Sequence, residues 1–214
     1  MKGMLLDLGR REYKEVWDLQ KRLVDERAKG ASPDTLILVE HEHVITLGRR
    51  TSMENFRPQD VRVYQVERGG DATYHGPGQL VGYPIILLQD RDIHGYLRKL
   101  EEVLIRTTRS YGIDSERREG HTGVWVGSKK LASIGVAVSS WVTYHGFALN
   151  VDPDLSYFGL IKPCGLDPNM ITSMSASLGR PVRLNDVKAR VIEDFGSVFA
   201  LDLELGQLTG YQLT

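Results

Sequence analysis

The spacing of hydrophobic and polar positions divides the chain into helical and extended segments. Three stretches carry apolar residues at the spacing of an amphipathic helix, and each starts or stops at a residue that favours a helix end. The predicted helices are Tyr13 to Ala28, a segment capped by Asp92 and ended by Gly112, and a segment capped by Asn185 that runs to Phe199.

Short apolar runs and alternating stretches predict strands. They are Leu36 to Val39, Val44 to Leu47, residues 61–66, Leu80 to Leu88, Val124 to Val126, Leu131 to Val138 and Trp141 to Val151. Gly127 to Lys130 is predicted as a hairpin turn, and Pro84 as a bulge or an edge position. Helices and strands alternate irregularly, with hairpins in the middle. The predicted fold class is therefore α+β, a mixed sheet flanked by helices.

Composition narrows the class of protein. The chain has 214 residues, 41% of them hydrophobic, which is enough for a substantial core in one domain. Lys and Arg number 27 against 28 Asp and Glu, so the net charge of −1 gives no reason to expect nucleic acid. The first residues do not resemble a signal peptide, and no apolar run approaches the roughly 18 residues of a membrane span. A soluble, cytoplasmic protein that binds no membrane is expected.

The segment from Arg68 to Gln79 is the strongest candidate for a binding loop, because it holds several glycines, Pro77 and His75 within a dozen residues. Glycine lets the backbone approach a ligand closely, and proline holds the shape of a loop. The glycine spacing fits neither the dinucleotide fingerprint nor the phosphate-binding loop, and the segment runs from strand to strand. It therefore does not predict a nucleotide site.

Cys164 is the only cysteine, so an internal disulfide and a cysteine-rich zinc site are both excluded. Between Pro163 and Gly165 it is a candidate nucleophile, although a lone cysteine is also commonly a small buried side chain. A thiol with a pKa of about 8.5 needs a nearby base or cation to react at neutral pH. Lys130 is the candidate, since an ammonium about 4 Å from a thiolate contributes roughly 4 kcal/mol at an effective dielectric near 20. The alternative is a solvated lysine in a turn.

Several histidines are further candidates for the functional site. His75 is a second candidate for orienting a carbonyl or moving a proton, and His145 is a further pocket candidate. His41 and His43 face the same side of a strand if both lie in one, which raises the possibility of a metal site. No third ligand follows in register, so no metal is expected.

Several motifs together resemble the lipoyl(octanoyl) transferase family. The segment from Arg68 to Tyr83, RGGDATYHGPGQLVGY, matches its signature. Gly48-Arg49, the run KLASIG from Lys130 to Gly135, the run HGFALN from His145 to Asn150, and IKPCG around Cys164 follow in the expected order. The resemblance covers about residues 35 to 175.

The resemblance implies one octanoyltransferase catalytic domain over residues 1–214, with a fold like the catalytic domains of biotin–protein ligases and lipoate ligases. It implies an acyltransferase of lipoate biosynthesis that moves an octanoyl group from octanoyl-acyl carrier protein to a lysine of lipoyl domains, in 2-oxoacid dehydrogenase E2 subunits and the glycine cleavage H protein. It further implies an acyl-thioester intermediate and no requirement for ATP or a metal. Cys164 and Lys130 take the place of the catalytic dyad. The implied substrate-binding residues are Arg68, Gly69, Gly70, Asp71, Ala72, Thr73, Tyr74, His75, Ser133, Ile134, Gly135, Gly146, Phe147 and Ala148.

Three other functions remain open on the residues alone. An ATP-dependent lipoate or biotin ligase would share the fold without needing Cys164. A hydrolase could combine Cys164 with His75 and an acid, and a non-catalytic binding module would tolerate the loss of both dyad residues.

Overall fold

The computed structural model describes residues 1–51, 61–161 and 168–206. These residues form eleven strands, four α-helices and two short 3-10 helices. The strands are β1 (Lys2–Arg11), β2 (Thr35–His41), β3 (Val44–Leu47), β4 (Arg62–Gln65), β5 (Thr73–His75), β6 (Gln79–Ile85), β7 (Glu116–Arg118), β8 (His121–Val126), β9 (Lys129–Ser139), β10 (Val142–Asn150) and β11 (Asp202–Leu205). The α-helices are α1 (Tyr13–Ala28), α2 (Ile93–Ser110), α3 (Met174–Leu178) and α4 (Leu184–Phe199), and the 3-10 helices are Leu155–Leu160 and Pro168–Met170.

The strands are arranged in two sheets. The larger has eight strands in the order β11-β1-β2-β6-β10-β9-β8-β7, and the smaller has three in the order β4-β3-β5. In the larger sheet β1 is parallel to β11 and to β2, and the remaining pairs are antiparallel. The mixed sheet with flanking helices confirms the predicted α+β class.

Helices cover both faces of the large sheet, which explains the unbroken apolar runs in its central strands. In β2, Leu36 and Leu38 pack on the side of α2 and α4, whereas Ile37 and Val39 pack on the side of α1. Each face therefore carries its own hydrophobic core. Among the described helices, none is both long and apolar enough to cross a bilayer.

The long helices agree closely with the sequence prediction. Helix α1 has the predicted bounds, and the Asp92 carboxylate caps α2 by accepting a hydrogen bond from the amide of Gly95 at 2.8 Å. Helix α4 starts at Leu184, so Asn185 lies inside the helix rather than before it. Arg183 occupies the N-cap position without a side-chain cap bond, and the predicted role of Asn185 is therefore wrong.

Two strand predictions also need correction. Thr73 to His75, predicted as part of a loop, form β5 and pair with β3. Pro84 lies in a central strand, between β2 and β10, rather than at an edge. Its position is tolerated because the paired register of β6 with β10 ends at Gly82 and Phe147, before Pro84 is reached.

Candidate active site

The glycine-rich segment, β9 and β10 line one cavity, whose empty space of about 570 Å³ includes its opening to solvent. Most residues that the resemblance implied for substrate binding line it, although they come from three distant parts of the chain. They are Arg68, Gly69, Gly70, Asp71, Ala72, Thr73, His75, Ser133, Ile134, Gly135, Gly146, Phe147 and Ala148, and Lys130 lines the cavity with them.

Tyr74 lies elsewhere. Side chains alternate along β5, so Thr73 and His75 face the cavity while Tyr74 points to the opposite side. Its hydroxyl is 2.8 Å from Nδ1 of His43, and its ring stacks on that of Tyr157 at 5.1 Å. Its position supports a packing role under the strand.

Three further residues line the cavity: Tyr13, Tyr83 and His145. The sequence had raised only His145 as a pocket candidate. Tyr13 was named only as the first residue of a predicted helix, and Tyr83 only as the last residue of the signature. Alternation of buried and exposed positions could not reveal Tyr83, because every residue of β6 is buried.

Arg68 fixes the shape of the glycine-rich segment. Its guanidinium is buried and donates to the carbonyl oxygen of Thr46 at 2.7 Å and to the Thr46 hydroxyl at 2.9 Å. The amide of Gly69 donates to the carbonyl oxygen of Val136 at 2.9 Å. A Cβ added at Gly135 would lie 3.0 Å from the Gly69 carbonyl oxygen, so this close approach favours glycine. The segment is thereby held against both β3 and β9.

Lys130 is a buried lysine, 6% exposed, while the neighbouring Lys129 is exposed. Its Nζ lies 5.5 Å from the centre of the Trp125 ring, within the range of a cation–π contact. Its Cε packs so close to Gly123 that a Cβ there would lie 2.7 Å away. The side chain is therefore confined between β8 and the cavity.

The second half of the predicted dyad cannot be placed in the same way, because Cys164 lies outside the described residues. The next residues that the structure describes, from residue 168 onward, lie beside Lys130. Ile171 forms a parallel bridge with Lys130, and the amide of Thr172 donates to its carbonyl oxygen at 3.0 Å. The contact between Cys164 and Lys130 stays a prediction.

His75 is neutral at physiological pH. Burial holds its pKa well below the ordinary value, and the nearby His41 and Arg68 act in the same direction. Nδ1 of His75 is buried and makes no hydrogen bond to any described residue. A neutral imidazole with an unused nitrogen at a cavity wall can hydrogen-bond a ligand.

His145 has an unusual backbone for a strand residue, with a φ of 55°. Left-handed backbone at such a residue costs about 1–3 kcal/mol and is found mainly at functional sites. The surrounding structure stabilises it: its amide donates to Oε1 of Gln20 at 2.8 Å, and Nε2 lies 3.4 Å from the Glu67 carboxylate. That hydrogen bond, with help from Lys21, lowers the pKa of Glu67 to about 2.

His41 is buried beneath the cavity, and its hydrogen bonds fix its tautomer. Nδ1 is 3.1 Å from the carbonyl oxygen of Arg11, which only accepts, so Nδ1 donates. Nε2 therefore accepts from the hydroxyl of Tyr83 at 2.8 Å. Burial lowers the pKa of His41 to about 4. His43 bonds to Tyr74 instead, and the described residues contain no group of three or more His, Cys, Asp or Glu that could hold a metal.

An open groove with about 1290 Å³ of empty space adjoins the cavity. The two share Gly69, Gly70, Asp71, Lys130, Ile134 and Gly135. Arg50, His121 and Thr122 are among the residues that line the groove alone. The shared residues mark the mouth of the cavity, and Lys130 lies at that mouth.

The fold belongs to a class that has solved members. A putative lipoate protein ligase from T. acidophilum with bound lipoic acid superimposes with a TM-score of 0.79 at 17% identity, over 99% of this chain and 91% of that one. A lipoate-protein ligase A bound with ATP gives 0.79 at 18% identity, over 99% and 91%. At these sequence identities the comparison shows a shared fold and nothing further.

The sequence assigns the family within that class. Residues 12–196 match the lipoyl protein ligase A/B catalytic domain. A protein named octanoyltransferase from Syntrophotalea carbinolica is 50% identical over 204 residues, covering 94% of this chain and 97% of that protein. One of the same name from Geobacter metallireducens is 50% identical over 204 residues, covering 94% and 95%. The chain belongs to this family and, within it, to the octanoyltransferases, which are acyltransferases.

Proposed function

We propose that this chain transfers an octanoyl group from octanoyl-acyl carrier protein to a lysine of lipoyl domains, those of 2-oxoacid dehydrogenase E2 subunits and of the glycine cleavage H protein. The observation that carries the proposal is the position of Lys130 where the cavity meets the adjoining groove. The cavity suits an acyl chain. The groove suits the two groups that must reach the cavity in turn, the thioester of the carrier protein and the lysine side chain of the lipoyl domain.

In the first half-reaction, the Cys164 thiolate attacks the carbonyl carbon of the donor thioester. The bond from that carbon to the carrier thiol breaks, and the leaving thiolate takes a proton from the Lys130 ammonium. The octanoyl group is then held as a thioester on Cys164. A cysteine in this role must stay reduced, which favours the cytoplasm as the compartment.

In the second half-reaction, the amine of the acceptor lysine attacks the Cys164 thioester. An amide forms, the bond to Sγ breaks, and the amine proton passes to a base. We assign that base to Lys130 rather than His75, because Lys130 is shared by cavity and groove while His75 lines the cavity alone. His75, which is neutral, is left as part of the cavity wall.

The proposed reaction needs neither ATP nor a metal. Exchange of one thioester for another is nearly isoenergetic, and conversion of a thioester to an amide is downhill. Burial of about six methylenes at roughly 0.8 kcal/mol each supplies much of the affinity for the donor. A ligase, by contrast, must activate a free acid with ATP, and the relatives at 50% identity are octanoyltransferases.

Intact-mass measurement tests the proposal directly. Incubation with octanoyl-acyl carrier protein alone should add one octanoyl group to the enzyme, on the peptide that contains Cys164, and hydroxylamine should remove it. Because the chain has a single cysteine, Cys164→Ser and alkylated wild-type protein are clean controls that should stay unmodified. Full turnover of Cys164→Ser with free octanoate and ATP, or label on another peptide, would overturn the mechanism.

A further inference from the structure

Aromatic rings line a part of the cavity that the groove does not share. Tyr13, His75, Tyr83 and His145 line the cavity but not the groove, and each is at most 6% exposed. With His41 beneath them they form the ring cluster (Tyr13, His41, His75, Tyr83 and His145). The rings of Tyr13 and His75 stack at 6.1 Å, and those of Tyr83 and His145 meet edge to face at 6.5 Å.

The ring cluster is held in place from several elements. His41 contacts Tyr13 at 5.1 Å and His75 at 6.0 Å between ring centres, and its two nitrogens bond Tyr83 and the backbone of Arg11. Displacing Tyr83 or His41 leaves a buried polar group without its partner, which is unfavourable. The ring cluster is therefore a stiff wall of the cavity.

We propose that the ring cluster sets the upper limit on acyl-chain length; this specificity inference rests on the proposed function. Each methylene strengthens binding roughly fourfold while it fits the cavity. A methylene beyond the wall must displace the rings, and overpacking of this kind is unfavourable. The free energy of binding an added methylene is therefore favourable up to the wall and unfavourable beyond it. Transfer should fall steeply once the acyl chain is too long.

Two substitutions change the cavity in opposite directions. Tyr13→Leu removes part of the wall but keeps an apolar side chain for the core. Ala148→Val adds bulk beside the wall, since Ala148 lines the cavity and packs in the same core as Tyr13 and Tyr83. Tyr96→Leu is the matched control: Tyr96 is 3% exposed, close to the 2% of Tyr13, but lies on α2 away from the cavity.

The test is the ratio of kcat/KM for decanoyl- and octanoyl-acyl carrier protein, measured for each variant with a lipoyl domain as acceptor. A ratio within one preparation does not depend on how much enzyme is folded. Tyr13→Leu should raise the ratio at least about tenfold, as expected for added room in an apolar pocket. Ala148→Val should lower it, and Tyr96→Leu should leave it unchanged.

The inference fails if the wild type transfers chains from eight to fourteen carbons equally well. It also fails if neither cavity variant moves the ratio beyond that of Tyr96→Leu. Should Tyr13→Leu not fold, Ala148→Val decides alone. Failure of the proposed function looks different, because wild-type enzyme would then transfer no acyl chain of any length to the lipoyl domain.

Discussion

Lys129 and Lys130 are adjacent in the sequence and lie in different environments. Successive side chains of a strand point to opposite faces, so Lys129 is exposed while Lys130 is buried against Trp125. The sequence already separated the two, because only Lys130 begins the run of small residues that matches the family signature. The predicted hairpin turn from Gly127 to Lys130 was wrong for Lys130, which lies in β9.

Lys130→Ala should lower kcat/KM for octanoyl transfer by about 10²- to 10⁴-fold, the usual loss when a positioned acid–base group is removed. Lys129→Ala is the matched control and should remain within about twofold of wild type, because it removes the same charge from the exposed face of the strand. Transfer from octanoyl-acyl carrier protein to a lipoyl domain measures both. Equal activity of the two variants would contradict the assignment of Lys130.

His41 should make the protein sensitive to acid. Its pKa is about 4 when folded and ordinarily about 6.5, so the unfolded state binds more protons between these values. The neutral ring therefore stabilises the folded state above pH 6.5, and that contribution is lost as the pH falls through 4. Its full size is about 3 kcal/mol at 1.36 kcal/mol per pKa unit.

Urea unfolding at several pH values between 7 and 4 tests this dependence. The free energy of unfolding of wild type should fall with pH, and in His41→Gln it should fall less steeply, from a lower starting value. His94→Gln is the control, since His94 is exposed on α2. A wild-type curve no steeper than that of His41→Gln would show that His41 is not the sensitive group.

At the scale of the element, the secondary-structure prediction was most accurate where residues at the ends of an element favour a helix end. Helix α1 ends at Ala28 as predicted, and α2 begins after the predicted cap, Asp92. Strand β5 was missed because it has three residues and lies inside a glycine-rich segment, so its extended form depends on pairing with β3. Strand β1 was missed because polar and charged residues interrupt its apolar positions.

Gly78→Ala should destabilise the protein much more than Gly112→Ala. Both glycines have a similar positive φ, 86° and 84°, so the backbone strain of alanine is alike. A Cβ at Gly78 would lie 2.3 Å from the backbone oxygen of Asp152, whereas a Cβ at Gly112 meets nothing within 4 Å. The carbonyl of Gly78 also accepts hydrogen bonds from the amides of Val151 and Asp152, which tie the end of β10 to β6.

The measurement is the free energy of unfolding of both variants. Gly112→Ala should lose about 1 kcal/mol, the cost of left-handed backbone at alanine. Gly78→Ala should lose that amount and a further 1–3 kcal/mol or so for the overlap with Asp152. Similar losses would mean that the backbone beside Gly78 moves aside at little cost.

At the scale of the molecule, the site depends on contacts that periodicity cannot show. Arg68 to His75, Lys130 to Gly135 and Gly146 to Ala148 meet because β9 and β10 pair and the glycine-rich segment bonds to β9. The motifs of the family were the only sequence signal that grouped these segments. Tyr13 carries no such motif, so its place in the cavity could be learned only from the packing of α1 against the sheet.

The same architecture predicts uneven stability across the two sheets. Strands β6 and β10 lie in the middle of the large sheet and are buried along their whole length, whereas β4 is mostly exposed at an edge of the small sheet. Amides open locally where few buried contacts hold them. Those of β6 and β10 should therefore exchange with solvent only through global unfolding, with free energies of about 5–15 kcal/mol.

Native-state hydrogen exchange at low denaturant distinguishes these strands. Exchange in β4 should be far faster than in β6 and should respond little to denaturant, because a small opening exposes little new surface. Strand β11, mostly exposed at the edge of the large sheet, is the internal comparison and should behave like β4. If β4 matched β10 in both rate and denaturant dependence, the small sheet would unfold only together with the large one. The glycine-rich wall of the cavity, which follows β4 in the chain, would then share the full stability of the core.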